Sequence, residues 1–336
     1  MNILRKILFP FSLIYGLIVL VRNFLFDTQV IKSAQFQIPV ICVGNLSVGG
    51  TGKTPMIEYL LTLLLPNHKT ATLSRGYGRK SKGYRVLQEN DHAGEVGDEP
   101  LQFKTKFPEA IVAVDEQRKR GISSLIATFN PEVILLDDAF QHRKVKAGLN
   151  ILLTTYDKLY KNDFLLPTGD LREPVMGAQR ASIVVVTKCS KNITLKERQR
   201  IKKKLQLKPS QKIFFSWIDY SRHVHSLSES FLINTWTDQK ITLITGIANP
   251  SSLLKYLESL QIDYVHYNFP DHHIFTEQEL KQFTSAEKIL TTEKDFMRLK
   301  ERIPQGNLYY LPIKMKFIEN ATEFDKLIDG YIHKAK

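Results

Sequence analysis

The chain has 336 residues, 43% hydrophobic and 24% charged, which excludes a disordered or fibrous polymer and suits one large or two medium globular domains. Its two cysteines, Cys42 and Cys189, stand far apart and in no Cys-x-x-Cys or Cys/His spacing, which argues against a disulfide framework or structural zinc and for a reducing compartment. The excess of 47 Lys and Arg over 34 Asp and Glu gives a net charge of +13 and predicts an anionic partner, without choosing between nucleic acid, phospholipid headgroups and a phosphorylated substrate.

The first predicted element is the uncharged run Ile7 to Val21, flanked by Arg5, Lys6 and Arg22. Fifteen helical residues reach roughly 22 Å, short of the roughly 30 Å hydrocarbon core of a bilayer. A small-residue cleavage site of the signal-peptide kind does not follow, since VRNFLFDTQ stands there. No polar face alternates with the apolar one, as a core helix would require. A retained membrane-associated helix over residues 1–26, partly inserted or lying in the interface, is the preferred reading.

Short β-branched runs then alternate with helical patterns: Pro39–Val43, Thr70–Leu73, Ile111–Val114, Val133–Leu136, Ile151–Thr154 and Ile183–Val186. Strands buried on both faces read this way, so an α/β fold with a mostly parallel sheet flanked by helices is expected over 27–215. A further series, beginning with Lys212–Trp217 as a strand candidate and continuing with Ile241–Thr245, the helical Pro250–Leu260, Val265–Phe269, Lys288–Thr291 and Leu308–Leu311, predicts a smaller α/β domain, bounded at 241–336. The stretch 216–240, although it opens on the end of a strand candidate at Lys212–Trp217, is mainly polar and aromatic without clear period and reads as a connector. The basic run Lys191–Lys204 reads as a solvated helix face; no RNA-binding signature accompanies it, so nucleic acid is not expected as a partner and part of the positive charge is assigned to an anionic membrane surface.

The most informative segment is PVICVGNLSVGGTGKTPMIEYLLTLL, residues 39–64. An apolar strand runs into a glycine-rich turn and then a helix, the context of a nucleotide phosphate loop. Ser47, Val48, Gly49, Gly50, Thr51 and Gly52 would curl backbone N–H groups around phosphate oxygens, Lys53 would meet the β- and γ-phosphates, and Thr54 would ligate Mg²⁺. Ser47 replaces the first glycine of the strict Walker A pattern. The run Val133–Asp138 is an apolar strand ending in two carboxylates, the Walker B form, so Asp137 or Asp138 is expected at the metal; spacing does not choose between them. The best match to a guanine-reading Asn-Lys-x-Asp, Thr187–Ser190, lacks the aspartate, which favours ATP.

Seven blocks, GNLSVGGTGKTP (44–55), SRGYGR (74–79), VGDEP (96–100), LLDDAFQHR (135–143), LPTGDLREP (166–174), FPDHH (269–273) and TTEKD (291–295), together resemble the tetraacyldisaccharide 4'-kinase family, in its order and over most of the chain. The resemblance implies transfer of the ATP γ-phosphate to the 4'-hydroxyl of a lipid A disaccharide 1-phosphate at the cytoplasmic face of a bacterial inner membrane. It implies a two-domain architecture with the active site in the cleft between the domains. Within this family a small hydroxyl residue at the position of Ser47 is no departure.

Such a reaction asks for positioning, charge neutralisation and a proton acceptor. Asp98 and His272 are the candidates, and the resemblance implies that they work as a pair. Read alone, Asp98 could equally end a loop before a helix opened by Pro100, and His272 could belong to a metal pair with its neighbours or to a surface turn. Glu99 is a candidate metal or water partner; Gln141 and His142 follow the Walker B strand closely enough to face the γ-phosphate; Arg172 could neutralise charge on the transferred group. Each of these could equally be a loop-ordering hydrogen bonder. Arg75 and Arg79 could meet a phosphate on the lipid substrate or be solvent-exposed loop arginines. Glu293, Lys294 and Asp295 carry no assigned chemistry. The expected cofactors are ATP and Mg²⁺, the partners a lipid substrate and a membrane surface, and the chain is read as a monomer. The rival readings are a membrane-tethered P-loop ATPase or nucleotide switch, and a soluble small-molecule kinase whose first helix is core.

Overall fold

The computed structural model describes residues 5, 7–283, 286–303 and 306–335. By their contacts the residues fall into two compact units, one of 1–75, 109–218 and 315–336, the other of 76–108 and 219–314.

The first unit is built on seven parallel strands: β1 Val40–Asn45, β2 Thr70–Ser74, β3 Ile111–Val114, β4 Val133–Asp137, β5 Leu149–Thr155, β6 Ile183–Thr187 and β7 Lys212–Tyr220. They lie in the order β7-β6-β5-β1-β4-β2-β3, each pair parallel. Every residue of β1, β2, β4 and β6 is buried, as continuous apolar runs covered on both faces require. Central β1 feeds the helix Lys53–Leu64, whose Met56, Ile57, Leu60, Leu61 and Leu64 are fully buried. The ladder thus holds the loop after β1 and the two aspartates at the end of β4 at the same sheet end, where ligands of open parallel sheets bind.

In the helix Phe9–Asp27 the usual amphipathic arrangement is reversed. Ser12, Gly16, Val19 and Asn23 form the buried stripe, whereas Phe11, Leu13, Ile14, Leu17, Ile18, Val21 and Phe24 are exposed. Ser12 Oγ donates to the Leu165 carbonyl at 3.0 Å, Tyr15 donates to the Arg172 carbonyl at 2.7 Å, and Asn23 Nδ2 donates to Glu173 at 3.2 Å. Small and polar side chains face the protein and large apolar ones face outward, the opposite of a core helix in water. At 19 residues the helix is by length and composition long enough to cross a bilayer, longer than the charge-free run suggests.

The second unit has six strands: β8 His223–His225, β9 Ser230–Leu232, β10 Ile241–Thr245, β11 Tyr264–Asn268, β12 Ile289–Thr292 and β13 Leu308–Leu311, in the order β9-β8-β13-β12-β10-β11. Pairing is parallel from β13 to β11 and antiparallel at β8 and β9.

The division departs from the expected boundaries in four places. The strand candidate Lys212–Trp217, read with the second series, pairs as β7 with β6 in the first unit's sheet. Residues 76–108, with Asp98, cluster with the second unit although the linear reading assigns them to the kinase domain. The stretch 216–240 is no free connector: β8, β9 and the turn Ile233–Trp236 lie in it, and Val224, Ile233 and Trp236 fill the second unit's core. The helix Ala321–Ala335 returns to the first unit, burying Phe324, Ile328 and Ile332, and there Tyr331 donates to the Val40 carbonyl at 3.1 Å.

Candidate active site

In the first unit the loop after β1 is shaped by glycine and fixed from its flanks. Gly49 and Gly52 have φ of 101° and 91°, where a β-carbon is strained. Asn45 Nδ2 donates to Thr51 Oγ1 at 2.7 Å, Thr187 Oγ1 donates to the Thr51 carbonyl at 2.7 Å, and Val48 N–H donates to the Asp170 carbonyl at 2.8 Å. Ser47 bridges to Leu171. Val48, Gly49 and Gly50 remain exposed, and the helix starting at Lys53 has no side-chain cap. Its first-turn N–H groups are therefore not taken by a capping side chain, the arrangement that receives an anion.

Lys53 Nζ lies 3.8 Å from Asp138 Oδ1. Arg172 meets the same carboxylate with both terminal nitrogens, at 2.7 and 3.0 Å, and also bonds the Asn45 side chain. Burial pushes the Asp138 carboxyl up, but the Lys53 and Arg172 charges outweigh it and hold the group at about 2. Asp137 is buried and accepts from Ser74 Oγ at 3.4 Å. Arg118, which the sequence reading missed, is buried behind it and donates to the Asp137 carbonyl at 3.3 Å. Gln141 Nε2 donates to the Asn45 carbonyl and to Glu173, both at 2.8 Å, so its amide braces the loop. His142 is kept neutral: burial, then the Arg118 and Arg75 charges, lower it to about 4. Thr54, Asp137 and Asp138 offer oxygen donors only, the set that suits Mg²⁺.

The second unit gathers a different set of groups. Gly97, at φ 97°, precedes the helix Asp98–Lys106; a β-carbon on it would stand 3.1 Å from Gly76 Cα, so the VGDEP turn is seated against the RGYGR loop by two glycines. Asp98 and Glu99 thereby open the helix, where its dipole accommodates negative charge. His272, itself at φ 60°, places Nδ1 3.1 Å from Asp98 Oδ2, and the Tyr77 ring lies 4.8 Å from its ring. His273 turns away, 3.0 Å from Glu279 and stacked on Phe269, which rules out a metal pair of these two histidines.

The short helix Glu293–Leu299 supplies what the sequence left without a role. Lys294 and Arg298, one turn apart on the same face, meet the two neighbouring carboxylates: Lys294 Nζ is 3.0 Å from Glu99 Oε1, and Arg298 Nε is 3.4 Å from Asp98 Oδ2. Asp295 is fully buried, accepts from the Gly246 N–H at 2.9 Å and pairs with Arg298; Glu293 accepts from the Ile313 N–H at 3.0 Å. Glu99, an expected metal partner, is thus engaged by a lysine. Arg79 donates to the Gly83 carbonyl at 2.7 Å and orders its own loop, while Arg75 is exposed.

A family model described as tetraacyldisaccharide-1-P 4'-kinase matches residues 4–333. The chain belongs to this family. It is 52% identical to the tetraacyldisaccharide 4'-kinase of Flavobacterium johnsoniae over 99% of this chain and 98% of that protein, and 43% identical to the one of Bacteroides thetaiotaomicron over 98% and 93%. A crystal structure of the Aquifex aeolicus family member in complex with ATP is similar at a TM-score of 0.79 and 32% identity, covering 98% of this chain and all of that one. Both the phosphate loop and the Asp98–His272 contact therefore lie within the span that the 4'-kinase family model matches.

Proposed function

We propose that this 4'-kinase family member transfers the γ-phosphoryl group of ATP to the 4'-hydroxyl of a tetraacyldisaccharide 1-phosphate, with Asp98 accepting the hydroxyl proton and His272 orienting Asp98. The observation that carries the assignment is the 3.1 Å contact between Asp98 and His272, residues 174 positions apart and both partly or fully buried. As the hydroxyl oxygen attacks phosphorus, its O–H bond breaks towards the Asp98 carboxylate and the bond from the γ-phosphorus to the bridging oxygen breaks towards ADP. The loop N–H groups and Lys53 hold the phosphate oxygens, and Arg172, which shares Asp138 with Lys53, neutralises charge developing on the transferred group. Thr54 with Asp137 and Asp138 would hold Mg²⁺, which when bound neutralises phosphate charge.

The outward apolar face of Phe9–Asp27 supports association with a membrane, which we take to be the bacterial inner membrane at its cytoplasmic face. Family membership across residues 4–333 favours a kinase over a membrane-tethered nucleotide switch. The test is γ-phosphate transfer from Mg-ATP to a detergent-dispersed disaccharide 1-phosphate, read by product mass. Wild type should give the bis-phosphorylated product, and Asp98→Ala and Lys53→Ala should lose it. ATP hydrolysis indifferent to the acceptor, from folded protein, would instead favour the switch.

A further inference from the structure

We infer that Lys294 is a positioning residue for phosphoryl transfer, its ammonium fixing His272 as the neutral tautomer protonated at Nδ1, whose one N–H holds the Asp98 carboxylate. The inference rests on the reading of Asp98 as proton acceptor and names what sets up that acceptor.

Lys294 Nζ lies 3.0 Å from His272 Nε2, 3.0 Å from Glu99 Oε1 and 3.1 Å from Asp271 Oδ1. An ammonium can only donate, so Nε2 must present its lone pair. A neutral imidazole carries a single N–H, which is then on Nδ1, aimed at Asp98 Oδ2 at 3.1 Å, an acceptor. The Glu99 and Asp271 carboxylates also face Nε2, at 3.8 and 4.0 Å, but the ammonium lies nearer, and an imidazolium would set a second N–H against it, like charge against like. Burial pulls the Lys294 ammonium down, but the Glu99 and Asp271 carboxylates outweigh it and raise it above the ordinary lysine value, so the donor is permanent at neutral pH.

The same geometry answers a competing use of the cluster. Atoms of Asp98, Glu99 and His272 lie within 4.8 Å of one another, close enough to share a metal ion. The Lys294 ammonium already contacts Glu99 and the His272 Nε2 lone pair, so the cluster carries its own cation. Arg298 flanks Asp98 from the same helix, so the carboxylate is held between the His272 N–H and a guanidinium. Without the ammonium, no donor holds the Nε2 lone pair, and the ring can take a proton there.

The experiment is side-chain ¹⁵N NMR of the full-length protein in detergent at pH 8, with histidine labelled and His272 assigned from the signal lost in His272→Gln. Wild type should show His272 protonated at Nδ1 and bare at Nε2. Lys294→Met should put a proton wholly or partly on Nε2 and lower kcat by about 10- to 100-fold, within the usual reach of general-base assistance, with the KM for ATP within about twofold. Lys294→Arg, again only a donor, should restore the tautomer and most of the rate. A wild-type spectrum protonated at Nε2, or at both nitrogens, overturns the inference without any variant, as does wild-type kcat in a Lys294→Met protein that binds ATP. Asp98→Asn separates the two levels: full activity there sinks the proton-acceptor reading itself, whereas an inactive Asp98→Asn beside a fully active Lys294→Met sinks only the role of Lys294.

Discussion

The phosphate loop and the Asp98 cluster solve opposite problems with opposite materials. The loop offers backbone to an anion: eight consecutive residues, two left-handed glycines and an uncapped helix start, with Lys53 the one cationic side chain among them. The cluster is made of side chains from three separate stretches of the second unit, Asp98 and Glu99, His272, and Lys294 with Arg298, and every charge in it meets a partner of opposite sign or a matching ring nitrogen. A backbone cradle tolerates side-chain change at many positions but not a change of dihedral angle. A side-chain network tolerates backbone variation but loses its chemistry when one member is removed.

That contrast can be broken by kinetics. Asp98→Ala should lower kcat by about 10²–10⁴-fold, the range of general-base contributions, while ATP affinity from equilibrium titration stays unchanged. Lys53→Ala should lose about 10²–10³-fold in kcat/KM and weaken ATP binding as well. Equal losses of ATP affinity in both variants would erase the distinction between the two regions.

Smaller effects sharpen it. Gly52→Ala puts a β-carbon at φ 91°, and the roughly 1–2 kcal/mol cost of that conformation should lower Tm and ATP affinity together. His142 is lowered to about 4 from an ordinary 6.5 by burial and the Arg118 and Arg75 charges. Its folded value lies below its unfolded one, so the stability it contributes is full above about 6.5 and is lost as pH falls towards 4. Thermal unfolding between pH 7 and 4.5 should therefore show a decline that His142→Gln makes shallower. Least of all, Thr194→Ala removes a capping box that closes on Glu197, which should cost about 1 kcal/mol in unfolding and leave transfer activity untouched.

The same contrast explains what could be read before the fold was known. The loop was legible because its chemistry is contiguous: strand, glycines, lysine and helix follow one another, and the parallel sheet announces itself in runs such as Val133–Leu136. Asp98 and His272 were nameable through resemblance to a family and not through spacing, because a contact across 174 positions leaves no periodic trace. Lys294 and Arg298 carried a signal that was passed over, two cations four apart in KDFMR able to face the adjacent acids of DEP, but nothing local says which acids they face. The unit boundaries failed for a related reason. Strands 223–225 and 230–232 are too short to show a period, while the buried Trp236 of the same core looks in sequence like any aromatic in a loop.

The central claim is that Asp98 and His272 act as one device, and a double-mutant cycle on the transfer step tests it most directly. Acceptor-dependent kcat should be measured at saturating Mg-ATP for wild type, Asp98→Ala, His272→Ala and the double variant. The account predicts that the double variant is about as slow as Asp98→Ala alone, since removing the orienting group costs little once the group it orients is gone. Losses that multiply would mean two independent contributions and would contradict the pair.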